Sequence, residues 1–157
     1  CKRAGVSRGA QVHHFPMKAD LMVAAVEHIF ELRRAAMKEA MGGLPAGPER
    51  LNAAIDGMWE VVRGGPTEAW LELVVAGRTD PVLRERVEAA TERLRAAAAE
   101  SLASLGVGDL PQGALQLASA LMDGLVVQGL AGLGPDRQNQ ILHLFKGMTH
   151  SHLGAQP

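Results

Sequence analysis

The chain has 157 residues and a mass of 16.6 kDa, which suits one domain, or one plus a small appendage, burying about 70% of its unfolded surface. Its single cysteine, Cys1, excludes a disulfide scaffold and fits a reducing, cytoplasmic setting, while 47% hydrophobic against 21% charged residues excludes wholesale disorder. The net charge of −1 is uneven: residues 1–18 carry Lys2, Arg3, Arg8 and Lys18 with no acid, so a basic head sits on an acidic body and points to a polyanionic partner at one end.

Position 1 is not Met, no cleavable signal pattern follows, and the opening residues read as the middle of a helix, so the chain is expected to be a fragment whose N-terminal part is missing. Glycine and proline punctuation cuts the rest into helical lengths, without the alternation or β-branched enrichment of strands. Gly5 ends the first stretch, and Ser7 can cap a short helix to about His14 that Phe15-Pro16 breaks. A long helix is expected from Lys18 to Met41, about 36 Å, with Met22, Val26, Ile29, Phe30, Met37 and Met41 at three-to-four spacing and Gly42-Gly43 closing it. Pro48 opens a helix through Val62, and Pro66-Thr67 opens another through Gly77. Asp80 before Pro81 starts a long one with Glu85, Arg86, Glu88, Glu92, Arg93 and Arg95 on a solvent face and Leu83, Val87, Leu94, Leu102 and Leu105 inside. Helices over Pro111–Leu133 and Asp136 to about Leu153 complete an all-α bundle, with Gly154–Pro157 frayed. The weakly charged stretch from Leu110 to Pro135 is long enough to suggest a membrane span, but Gln112, Gln116, Ser119, Asp123 and Gln128 recur through it and no basic cluster flanks it, so it reads as a helix buried against protein.

The run Ala4 to Leu21 carries the functional signal. A glycine turn, a Ser cap and a seven-residue helix make the second half of a helix-turn-helix, whose recognition helix enters the major groove. Arg8 can pair bidentately with guanine and Gln11 with adenine, and Ser7, His13, His14 and Lys18 can reach phosphates. On these residues alone, a short surface helix bearing charge by chance fits equally well. At this run the chain resembles the TetR family of bacterial transcriptional regulators. The family pattern is met by Ala4-Gly5-Val6-Ser7, Gly9, His14-Phe15, Lys18 and Asp20-Leu21. It departs at Val12, preceded by Gln11, where the family usually carries Tyr, so Val12 is expected to pack and Gln11 to read bases. The resemblance implies that the family's first helix and most of its second lie upstream of Cys1. It also implies that residues 1–41 are a partial helix-turn-helix domain with its connector helix, and that residues 42–157 are a helical ligand-binding and dimerisation domain.

Other chemistries find little support. His13 and His14 lie about 100° apart on a helix and cannot chelate one metal, and His143, His150 and His152 have no Cys or carboxylate at ligand spacing, so neither a metal nor another cofactor is expected. Gly106-Val107-Gly108 follows no strand and reads as a loop, and the Asp56/Glu60 pair lacks a third group, so the chain is not expected to be an enzyme. Asp123, alone in an apolar helix, either contacts a ligand or is a satisfied carboxylate at a packing seam. The candidate ligand lining is Met41, Met58, Trp59, Trp70, Leu117, Asp123 and Phe145, with Asn52, Asp56, Gln116 and Gln128 as the remaining polar groups, which favours a largely apolar effector. Leu117, Leu121, Leu125 and Gln128 on one helix and Ile141, Phe145 and Met148 on the next form a candidate homodimer interface. The expected function is a repressor that binds a near-palindromic operator in double-stranded DNA as a homodimer and is released by a small molecule. The alternatives are a helical protein- or RNA-interaction module and a helical small-molecule enzyme or carrier.

Overall fold

The computed structural model describes residues 1–2, 4–45, 47, 49–104 and 113–153, without the side chains of residues 150–153. The expectations for Arg3, Pro48, Leu105, the 106–108 loop, Leu110, Pro111, Gln112, the side chains of His150 and His152, and the tail 154–157 fall outside that description. Seven helices are present among the described residues: α1 Arg8–His14, α2 Lys18–Gly42, α3 Arg50–Val62, α4 Gly65–Ala76, α5 Pro81–Ser104, α6 Ala114–Leu130 and α7 Pro135–Leu153. None of the described helices is long and apolar enough to cross a membrane.

The punctuation works through identifiable hydrogen bonds. The Oγ of Ser7 accepts from the backbone N–H of Ala10 at 3.0 Å and caps α1. At the start of α2, Asp20 reaches back so that its Oδ2 accepts from the N–H of Met17 at 2.9 Å. Asp80 does the same for α5, accepting from Leu83 N–H at 3.0 Å. Around Gly5 the chain turns instead of ending a helix: the N–H groups of Ala4 and Val6 both bond to the carbonyl of Cys1, and Gly5 takes a φ of +64° that an L side chain rarely adopts.

The long helix α2 is the spine, packing on α3, α4 and α5. Its N-terminal half contributes Val26, Ile29 and Phe30 to one core, completed by Trp70 and Leu73 of α4 and Leu83, Val87 and Ala90 of α5. Its C-terminal end contributes Met41 to a second core with Ala54, Ile55, Met58, Trp59 and Val62 of α3, Met122, Leu125 and Val126 of α6, and Leu142 of α7. Gly57 permits the close approach of α3 to α2, since a Cβ there would lie 3.3 Å from Ala40 Cβ and Met41 Cε. Between the helices, Arg93 of α5 places its guanidinium 4.1 Å from the Phe30 ring centroid while pairing with Glu27 at 2.8 Å. Lys146 of α7 meets Asp56 of α3 at 2.5 Å, and Gln138 Nε2 donates to the Leu125 carbonyl at 3.0 Å, together fastening α7.

Candidate functional site

Two places hold the functional candidates. The first is the head. Ser7, Arg8, His13, His14 and Lys18 are exposed and Gln11 is half-buried; they occupy a cap, one short helix and the first residue of α2. The rings of His13 and His14 meet edge-on at 5.4 Å, and Gln11 Oε1 accepts from Cys1 Sγ at 3.1 Å. One expectation fails here. Val12 is not a packing residue but 57% exposed, beside exposed Val6 and Met17, because α1 buries none of its residues against the rest of the described chain.

The second is a cavity of about 680 Å³ between the two cores. Of the seven residues expected to line a pocket, Met58, Trp70 and Asp123 do so, and Gln116 joins them. The other four stand elsewhere. Met41 and Trp59 are buried inside the second core, Phe145 packs partly against that core, and Leu117 is 61% exposed on the outer face of α6. The two tryptophans, expected to share one pocket, belong to separate cores, Trp59 on α3 and Trp70 on α4. Among the other polar candidates, Asp56 is engaged by Lys146 and Gln128 is exposed, while Asn52 has a buried Oδ1 without a hydrogen-bond partner among the described residues.

The cavity wall is also more charged than the sequence suggests. From α2 come Arg33, Arg34, Met37 and Lys38; from α5 come Thr91, Leu94, Arg95 and Glu100; from α6 come Leu115, Gln116, Ser119 and Asp123. Arg34 and Arg95 are held by acids on their own helices, Arg34 by Glu31 at 2.8 Å and Arg95 by Glu92. Arg33 and Lys38 form no salt bridge among the described residues. Arg33 lies with its guanidinium 5.7 Å from the Trp70 ring centroid. Burial lowers its pKa below the ordinary arginine value, partly countered by the charge of Asp123. Burial likewise raises the Asp123 carboxyl above the ordinary carboxylate range, partly countered by Arg33. Arg33 escaped the sequence reading although a signal existed: it occupies the inward stripe Val26, Ile29, Phe30, Arg33, Met37, Met41 as its only charge, just as Asp123 does on α6.

The expected dimer stripe is also redistributed. Leu125 is 1% exposed and belongs to the second core, so it is not available to a partner. It lies about 80° round α6 from Leu117, eight residues at about 100° each, which carries it from the outer face to the inner one. Leu121, Ile141 and Phe145 sit at the boundary, half-buried against the core. The outward apolar residues are Leu117, Val127 and Leu130 of α6 with Leu144 and Met148 of α7, and Gln128 is exposed among them.

The family description "Tetracyclin repressor-like, C-terminal domain" matches residues 49–151, most of the helical body. The chain belongs to the TetR family. Similar proteins include the HTH-type transcriptional regulator CymR of Pseudomonas putida, 35% identical over 92 residues, covering 59% of this chain and 45% of CymR. The HTH-type transcriptional regulator BetI of Escherichia coli is 31% identical over 132 residues, 79% of this chain and 66% of BetI. An uncharacterized HTH-type transcriptional regulator of Mycobacterium tuberculosis is 32% identical over 87 residues, 55% of this chain and 45% of the relative. This TetR-family chain therefore spans about half the length of the first relatives it matches. No solved structure gives a significant match.

Proposed function

We propose that the protein is a ligand-responsive transcriptional repressor of the cytoplasm. On this reading residues 1–41 are part of a DNA-reading domain with its connector, and residues 42–157 are the effector and dimer domain. The observation that carries it is α2: its first turn, from Lys18 to Leu21, ends the head motif, and its Arg33, Arg34, Met37 and Lys38 line the cavity. A molecule that fits the cavity bears on the element that holds the head, so differential binding to two positions of α2 would couple the sites. The regulator names of the relatives support the DNA-binding role, and the Ser7-capped α1 suits insertion into a major groove, Arg8 and Gln11 reading bases and Lys18 neutralising phosphate.

A near-palindromic operator requires two heads related by a two-fold axis, and the outward apolar residues of α6 and α7 suit an isologous four-helix contact. Replacing Leu130 or Met148 by Glu is expected to convert a dimer to monomer in sedimentation at micromolar concentration without loss of helicity. The regulator reading is tested with the natural full-length gene product, by fluorescence anisotropy on duplex DNA from upstream of its own gene, on a scrambled duplex and on single-stranded RNA. The expected result is tight binding to the first duplex, weakened by salt. Equal binding to all three, or preference for RNA, would replace this reading with that of an interaction module.

A further inference from the structure

The cavity contains two opposite charges that do not close on each other. Arg33 on α2 and Asp123 on α6 both line it and each perturbs the other, yet no salt bridge joins them among the described residues. The two groups are not equivalent. A guanidinium keeps its charge at every physiological pH, whereas a carboxyl held above its ordinary pKa can shed its charge by taking a proton. Of the two, Arg33 is therefore the group with the standing need for a partner of opposite charge; Lys38, the other lining cation without a salt bridge among the described residues, is exposed and can be satisfied by water, whereas Arg33 is partly buried. Trp70 flanks its guanidinium at 5.7 Å, and a planar fork held this way is suited to a carboxylate's two oxygens. The other two cavity arginines are already occupied by Glu31 and Glu92. Met37, Met58, Val62 and Leu94 supply apolar wall around this polar pair, in a volume within the ordinary range for small-molecule sites.

We infer that the cavity takes an amphipathic organic acid, whose carboxylate binds Arg33, whose hydroxyl or amine donates to Asp123, and whose apolar body lies between Met37, Met58, Val62 and Leu94. The inference deepens the proposed effector role and rests on it only for its consequence at DNA. It also amends the expectation of a largely apolar ligand: the body is apolar and the head is not.

Four probes of similar size test it on this chain: 2-naphthoate, 6-hydroxy-2-naphthoate, 2-naphthamide and 2-naphthylmethylammonium, titrated by quenching of tryptophan fluorescence and by the shift in melting temperature. Both acids are expected to bind about tenfold or more tightly than the amide and the ammonium, the size of one charge-assisted hydrogen-bonding contact. Arg33→Met should bring the acids down to the amide and leave the amide unchanged, and Arg33→Lys, which keeps the charge without the fork, should fall between. Asp123→Asn should leave 2-naphthoate at least as tight and alter the increment contributed by the hydroxyl. Circular dichroism confirms that each variant is folded, and the ranking on the unaltered chain needs no variant. The inference is overturned if the amide or the ammonium binds as well as the acids, if none of the four binds up to about 1 mM, or if Arg33→Met leaves the acid preference intact. The proposed effector role fails separately: acids that bind in this order but leave the operator affinity of the full-length product unchanged keep the ligand class and remove the regulation.

Discussion

Three stretches of α2 are built on two opposite rules. Around Val26, Ile29 and Phe30 the helix interlocks with α4 and α5, and near its C-terminus Met41 is buried against α3 and α6; both of these stretches are apolar and closed. The stretch between them presents Arg33, Met37 and Lys38 to open space, opposite a carboxylate whose protonation burial favours. One helix thus has two anchored stretches with a cavity-facing middle stretch between them. The difference teaches that the cavity is a property of the seam between two cores, lined by residues of both.

The largest expected effects lie in the two cores that anchor α2. Phe30→Ala is expected to lose about 3 to 5 kcal/mol and Met122→Ala about 2 to 5 kcal/mol of unfolding free energy in urea titration, since each removes a side chain from a packed core and leaves a void. Met37→Ala should lose less than half as much, because it borders space that is already open. Equal losses at all three would erase the distinction between anchored and cavity-facing stretches.

Next comes a pH effect confined to the middle. The folded pKa of Asp123 is raised, so the folded state holds a proton over a range in which the unfolded chain has released it. Stability therefore falls as pH rises from the ordinary carboxylate value of 3.8 through the raised one, and the contribution is fully present only below that window. Among the described residues, the charged groups lining the cavity around it are Arg33, Arg34 and Lys38 from α2 and Arg95 and Glu100 from α5; the lining residues of α3 and α4 add none. Asp123→Asn should flatten this slope, gaining on the unaltered chain as pH increases, measured as the urea midpoint across about pH 4 to 8. Parallel pH profiles for the two proteins would contradict the burial of this carboxylate.

The smallest effect is expected at the outer edge of the anchored stretch around Phe30. Arg93→Ala removes a contact with the Phe30 ring and an ion pair with Glu27, but the charged groups are about half exposed, so the loss should be up to about 1 kcal/mol and smaller at high salt.

Much of this architecture is legible in the sequence because local chemistry sets it. Ser7 and Asp80 announce helix starts that the hydrogen bonds bear out, and the stripe through Val26, Ile29 and Phe30 marks a buried face. The cavity is less legible because helical periodicity tells which face turns inward, not which turns of that face meet another helix and which meet space. Trp59 and Trp70 look interchangeable in sequence, yet one is sealed in a core and the other lines the cavity. Leu125 and Leu117 share a stripe on paper, but eight residues of helix are enough to carry one to the inside and leave the other out. Arg33 shows what a sharper reading needs: a lone charge on an inward stripe marks the place where packing stops.

On the function proposed above, the Arg33–Lys38 stretch of α2 transmits cavity occupancy to the head. The most direct test measures the affinity of the natural full-length product for its operator duplex by fluorescence anisotropy, with and without saturating amounts of each compound that quenches tryptophan fluorescence. The account predicts that at least one such compound weakens operator binding by about 5- to 150-fold, the usual range of coupling between two sites. It also predicts that Arg33→Met abolishes the response to the carboxylic acids. Operator affinity that stays unchanged with every tight cavity binder would contradict it.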